Sequence, residues 1–186
     1  VTALDSNPNL LFSITQRALS KGVTNLRFSN EDWLKARIGR DVETHDIVLA
    51  SRFRQIWNLR KFLEKMHAAA RDRCYLTWIA EREEIDAMIC KLLGREYHPL
   101  PDYSIIVNVL ESIGVNASVV LFNTNEIQRF ESEEDAVRQG LRGYHIEDSQ
   151  VLREMAEAIT SKLRYREGYW WKETPAKWAL VSWRKG

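Results

Sequence analysis

The 186 residues carry 27 Lys and Arg against 26 Asp and Glu, a formal net charge of +1, with 45% hydrophobic and 28% charged residues. That balance reads as a globular chain of ordinary domain size and gives no electrostatic footprint for nucleic acid, though it leaves room for a local basic patch. No apolar run approaches the roughly 18 residues of a membrane span and no charged-then-apolar leader is present, so no membrane partner is expected.

VTALD, from Val1 to Asp5, reads as a buried strand ending on an acid, and the Ser-Asn-Pro turn after it opens a helix. That helix is predicted from Pro8 to Lys21, with Leu10, Leu11, Ile14 and Ala18 on one face and Gly22 as its C-cap. Thr24 to Ser29 reads as a second strand and Trp33 to Ile38 as a short helix. Asp46 to Ser51 is a third strand, whose unbroken apolar middle predicts cover on both faces. From Gln55 to Arg71, Ile56, Leu59, Leu63, Met66 and Ala70 fall at helical spacing, with Arg60, Lys61, Glu64 and Lys65 toward water.

Arg73 to Ile79 is a fourth strand. Helices from Glu83 to Leu93 and from Asp102 to Ile113 follow, separated by a Pro99 to Pro101 turn. Ala117 to Phe122 is a fifth strand, helices about Glu133 to Leu141 and Asp148 to Leu163 come next, and the alternating stretch Lys177 to Lys185 closes the chain. The series predicts a single α/β domain over residues 1–186, with a doubly wound, mostly parallel sheet and an antiparallel last strand.

Cys74 and Cys90 sit in apolar stretches and read as reduced core thiols of a cytoplasmic protein, a disulfide being the alternative. His45, His67, His98 and His145 are far apart and form no ligand spacing with a cysteine, so no metal is expected. KLRYREGYWWK holds Tyr165, Tyr169, Trp170 and Trp171, with Trp178 and Trp183 beyond. A basic and aromatic mixture can stack nucleobases. Its strand-like alternation favours a strand pair packed on the sheet, with Arg and Lys in solvent.

Doubly wound sheets bind ligands outside the carboxyl ends of their strands. Attention therefore falls on Asp5 with Ser6, on Asn30 to Trp33, and on Ser51 with Arg52. A carboxylate at Asp5 can accept from both hydroxyls of a ribose, or it can cap the helix that follows. Asp32 could accept from an adenine amine while Trp33 covers the ring, or the two could be a helix cap and a core tryptophan.

VTALDSNPNLL, VTNLRFSNEDW, HDIVLASR, LRKFLEKMHAAA and CYLTWI, in that order and spacing, resemble the class I S-adenosylmethionine-dependent methyltransferases from the family's second strand onward, through about Ile79. The closing KWALVSW is similar to the family's last strand. The resemblance implies a Rossmann-like, three-layer αβα fold and S-adenosylmethionine as cofactor. It implies that Asp5, with Ser6 beside it, holds the ribose, that Asp32 and Trp33 frame the adenine, and that Ser51 and Arg52 flank the methionine moiety or the substrate entrance. Residues 82–115 would be a substrate-covering helical insertion, with Tyr97, His98, Asp102, Tyr103 and Asn108 as acceptor contacts; turn, cap or surface duty is the other reading of each. No catalytic base is nominated.

One family feature is missing. Family members end their first strand in a glycine-rich turn of the GxGxG kind, whose backbone approaches the cofactor closely, whereas the eight glycines here are scattered. A central strand left out would leave its neighbours with unpaired backbone groups. The expectation is a chain truncated at its N-terminus, with several tens of residues upstream, whose free strand edge would favour a homodimer. The implied activity is methyl transfer to a small-molecule acceptor. The alternatives are a non-catalytic methyltransferase-like module for binding or dimerisation, and a nicotinamide-dependent oxidoreductase whose ribose-binding acid would also be Asp5.

Overall fold

In chain order the elements are β1 (Thr2–Leu4), α1 (Pro8–Ser20), β2 (Arg27–Ser29), β3 (His45–Ala50), α2 (Leu59–Ala69), β4 (Ala70–Arg82), α3 (Ile85–Leu92), α4 (Ser104–Ser112), β5 (Ala117–Phe130), α5 (Glu133–Gly140), α6 (Ser149–Thr160), β6 (Leu163–Arg166) and β7 (Tyr169–Arg184). They come from a computed structural model that describes residues 1–51, 58–82, 85–97, 101–142 and 144–186. β1 and β2 pair in parallel, Thr2 opposite Arg27 and Leu4 opposite Ser29. The other strands form a sheet in the order β3-β4-β7-β5, with β6 attached to β7. β3 and β4 are parallel and β6 and β7 antiparallel, so the fold is the expected α/β type, mostly parallel with an antiparallel strand.

Two units arise from this chain. The first comprises Val1–Trp78, Tyr103–Val120 and Leu180–Gly186; the second comprises Ile79–Asp102 and Leu121–Ala179. Within residues 82–115, α3 therefore belongs to the second unit and α4 to the first.

In the first unit, α1 begins where the Asn7 side chain accepts from the backbone of Asn9 and Leu10 at 3.0 and 3.4 Å, with Pro8 in the first turn. Leu11 and Ala18 are buried as expected, whereas Leu10 is exposed and borders a cavity. α2 starts at the Asn58 cap and buries Phe62, Leu63, Met66 and Ala69. The helix stops at Ala69 rather than Arg71, because Ala70 is already extended (ψ 144°) and opposes His45 in the β3–β4 ladder. Residues 55–57 of the expected helix lie outside the described residues. Around Leu63 the core gathers Leu76 and Cys74 of β4, Ile106 and Leu110 of α4, and Val181 and Trp183 of β7.

Two expectations in this unit are corrected. Trp33 to Ile38 forms turns instead of a helix. A helix would need the Arg37 amide to donate to the Trp33 carbonyl. That amide donates instead to Asp41 Oδ2 at 2.9 Å, and the Trp33 carbonyl accepts from Lys65 Nζ. Lys65 is consequently half-buried, not turned to water. β3, expected to be covered on both faces, leaves Ile47 56% and Leu49 66% exposed. It has β4 on one edge and the cavity beside it.

In the second unit, α5 and α6 pack through Gly140, where an added Cβ would lie 2.9 Å from Ile159 Cδ1. Phe130, Ala136, Ile159 and Leu163 form one buried cluster, and Ile89, Val151 and Met155 form another between α3 and α6. Strands here outrun their predicted lengths: β5 continues through Asn123, Thr124 and Asn125 to Phe130, and β7 begins at Tyr169. β5 is an edge strand with much of its length solvated, so polar residues do not interrupt it. Leu163, expected to end a helix, opens β6 instead. Glu167 and Gly168, at φ 54° and 82°, make the two-residue turn that joins β6 to β7. α3 and α4 are shorter than predicted; residues 83, 84 and 98–100 lie outside the described residues.

Candidate functional site

A cavity of about 690 Å³ lies in the first unit, bounded by Thr2 to Asp5 at β1, Ile47 to Ser51 at β3, and by Leu10 and Trp33. Asp5, Trp33 and Ser51, three of the sequence candidates, meet there. The Asp5 backbone is pinned from both sides: its amide donates to the Ser29 carbonyl at 3.2 Å and its carbonyl accepts from Asn30 Nδ2 at 3.0 Å. Asp5 Oδ1 accepts from the Asn7 amide at 2.8 Å, shaping the turn into α1. No other hydrogen bond to this carboxylate is made among the described residues. Ser6 is exposed and does not line the cavity.

Asp32 also stands outside the lining. Its Oδ1 accepts from the Leu34 amide at 2.9 Å and its Oδ2 is 3.8 Å from Lys35 Nζ. Trp33 does line the cavity, with its ring edge-on to Phe62 at 6.2 Å between centroids. Lys65 Nζ donates to the carbonyls of Trp33 and Ala36 and lies 5.1 Å from the Trp33 ring centroid. Burial pushes the Lys65 ammonium below its ordinary pKa, and Lys61 adds to that. The Arg37 guanidinium beside Asp41 holds that carboxyl below the usual carboxylate range, fixing the far end of the same loop.

Ser51, at the carboxyl end of β3, has its Oγ 2.9 Å from Thr77 Oγ1 on β4. Arg52 lies outside the described residues. So does His98. Tyr97 is half-buried and Asp102 exposed, both in the second unit; Tyr103 packs against the first unit's core at the start of α4, and Asn108 is exposed on that helix. None of these lines the cavity.

Sequence reasoning missed Lys65 and His45. Periodicity put Lys65 on the solvent side of α2, and nothing local to it revealed the carbonyls it would meet. His45, at the start of β3, lines the cavity with its Nε2 buried and without a hydrogen-bond partner.

The cavity has the size of a small-molecule site. Its lining combines a carboxylate, an indole, a serine hydroxyl and the apolar Leu4, Val48 and Ala50, which suits a nucleoside: acceptors for a diol and apolar cover for a base. Among the described residues no glycine lines the cavity. Among the described residues, no group of three or more His, Cys, Asp and Glu could hold a metal ion, and no helix is long and apolar enough to cross a membrane.

No protein-family model matches the sequence. An uncharacterized protein of Haemophilus influenzae is 31% identical over 124 residues, 67% of this chain and 46% of that protein, so the match spans about half of the relative's length. A Bacillus halodurans protein classed as a methyltransferase superposes with a TM-score of 0.62 at 16% identity, over 100% of this chain and 82% of its own. A geranyl diphosphate methyltransferase, solved in complex with S-adenosylmethionine, matches with a TM-score of 0.52 at 9% identity, over 100% of this chain and 68% of its own. The chain has the class I methyltransferase fold. Within that methyltransferase fold the antiparallel β7 lies between β4 and β5, and the cavity borders the parallel strands β1 and β3. The nicotinamide-dependent oxidoreductase alternative finds no support in these likenesses.

Proposed function

We propose that this chain is part of an S-adenosylmethionine-dependent methyltransferase acting on a small-molecule acceptor. The observation that carries the reading is the convergence of Asp5, Trp33 and Ser51 on one cavity at the ends of β1 and β3. In this reading the Asp5 carboxylate, with Ser6 beside it, takes the ribose hydroxyls, and Trp33 covers the adenine on a loop held by Lys65. Ser51 flanks the methionine end. When bound, the cofactor supplies an electrophilic methyl carbon. The chain's part is to align the acceptor and exclude water.

The proposal includes one further strand. β1 pairs with β2 and β3 with β4, and among the described residues neither has a ladder partner on its other edge. A parallel strand between them, carried by a longer form of the protein, would satisfy those backbone groups and cover Ile47 and Leu49.

Isothermal titration of S-adenosylhomocysteine into the full-length protein and its Asp5→Ala variant tests the reading. Binding that weakens by about 1–3 kcal/mol on loss of the carboxylate is expected. A full-length protein that does not bind overturns it. The second reading, a non-catalytic module of the same fold, would then lead.

A further inference from the structure

The β6–β7 hairpin presents two unlike faces. Arg164 opposes Trp171, and Arg166 opposes Tyr169. Directly opposed residues of an antiparallel pair share a face, so these four lie together, and Leu163, Tyr165, Trp170 and Lys172 lie on the other side. On the second side Leu163 is buried with Phe130, Ala136 and Ile159 and Trp170 packs against them, while Tyr165 stays 63% exposed. The first side is open: Arg164 and Arg166 are exposed, and Tyr169 and Trp171 are half-buried.

β5 adds a third arginine to the open side. The Arg129 guanidinium lies 4.3 Å from the Tyr169 ring centroid, and that of Arg166 lies 4.8 Å from the Trp171 ring centroid. Trp171 Nε1 donates to the Arg166 carbonyl at 3.1 Å, fixing the indole against the strand. A guanidinium resting on a ring is held flat and keeps N–H donors at its edge for an anion. Arg166 also meets Glu173 at 3.3 Å, and Arg164 Nη1 donates to the Leu163 carbonyl at 3.0 Å. Arg129, Arg164 and Arg166 thus share this face with Glu173, and the near-zero charge of the whole chain conceals the cluster. Arg164 and Arg166 stand two strand residues apart, about 6.6 Å, close to the phosphate-to-phosphate step of an extended nucleic-acid strand.

The geometry points to this face as a docking surface for single-stranded nucleic acid, with phosphates on the edges of Arg129, Arg164 and Arg166 and bases on Tyr169 and Trp171. Charge complementarity selects that partner, and stacking on aromatic side chains makes the recognition tolerant of sequence. The inference stands apart from the methyl-transfer reading, since every residue in it belongs to the second unit and none lines the cavity.

The test is fluorescence anisotropy of a labelled oligouridylate of about 12 nucleotides with the full chain at low salt. Saturable binding is expected, weakened about tenfold by Trp171→Ala and by Arg129→Ala. The slope of log affinity against log salt should become shallower by about 0.7 for each arginine contact removed. Arg166→Lys should lose less than Arg166→Ala, since it keeps the charge but not the planar stack. Variants whose thermal unfolding matches the parent's, yet which bind as tightly as the parent, overturn the proposal. So does a parent chain that does not bind oligouridylate; Trp, Tyr and Arg would then mark a protein contact, whose cores favour the same residues.

Discussion

Lys65 and Trp33 are joined twice: the ammonium donates to the tryptophan's carbonyl and lies 5.1 Å from the centroid of its ring. One charge on α2 thereby sets both the backbone and the side chain of the loop that borders the candidate site. The same carbonyl is the one a helix over 33–38 would have used.

Lys65→Met keeps the aliphatic stem and removes the donor, leaving the carbonyls of Trp33 and Ala36 without this partner. Stability should fall by about 1 kcal/mol, a solvent-screened value for a partly exposed charged hydrogen bond. Urea unfolding reads this as a lower midpoint with an unchanged slope. An unchanged midpoint would show that the loop does not depend on the ammonium.

His67 gives the fold a defined sensitivity to acid. Its Nδ1 is buried without a hydrogen-bond partner, and burial, with the nearby Lys185 charge second, holds its pKa below the ordinary 6.5. The unfolded chain therefore binds the proton more readily than the folded one. The neutral imidazole's contribution is fully present above pH 6.5 and is lost as pH falls through the lowered folded-state value. Thermal unfolding across that window should show the midpoint dropping in the parent and dropping less in His67→Leu.

The two thiols should separate in reactivity. Cys74 is buried, its Sγ donates to the Met66 carbonyl at 3.3 Å, and burial pushes its pKa up to about 12. Cys90 is half-buried and free. Because the thiolate is the reactive form, an aromatic disulfide reagent at mildly alkaline pH should label Cys90 first and Cys74 only with denaturant. Rapid labelling of both thiols in the native parent, or of the one remaining thiol in native Cys90→Ser, would contradict this placement.

Leu63 and Leu49 should behave oppositely when truncated in this chain. Leu63 is wholly buried, so Leu63→Ala should cost about 2–5 kcal/mol. Leu49 is mostly exposed, so Leu49→Ala should stay within about 0.5 kcal/mol. A large cost at Leu49 in the full-length protein, absent from the 186-residue chain, is the result a covering strand would produce. Urea denaturation of each variant beside its own parent reads both.

What could be read along the chain was whatever depends on near neighbours. The strand–helix alternation, the opening of α1 after the Ser-Asn-Pro turn, and the inward face of α2 follow from residues within a turn or two of one another. Asp5 could be singled out because an acid at the end of a strand is a local pattern, and the cavity does border it.

Tertiary structure decided the rest, for reasons that lie at long range. Asp41 and Lys65 draw away both hydrogen-bonding groups that a helix at Trp33 needed, one from the same loop and one from a helix 32 residues on. β3 left Ile47 and Leu49 open because strand cover depends on which strands pair, a fact no apolar run contains. The strand pair favoured for KLRYREGYWWK is the β6–β7 hairpin, and Leu163, expected to end a helix, joins it because its ladder partner Lys172 lies across the Glu167–Gly168 turn. The sequence by itself determined an α/β fold and an acid at the end of its first strand; only pairing in three dimensions determined what surrounds that acid, since burial and hydrogen bonding are properties of neighbours brought together by the fold.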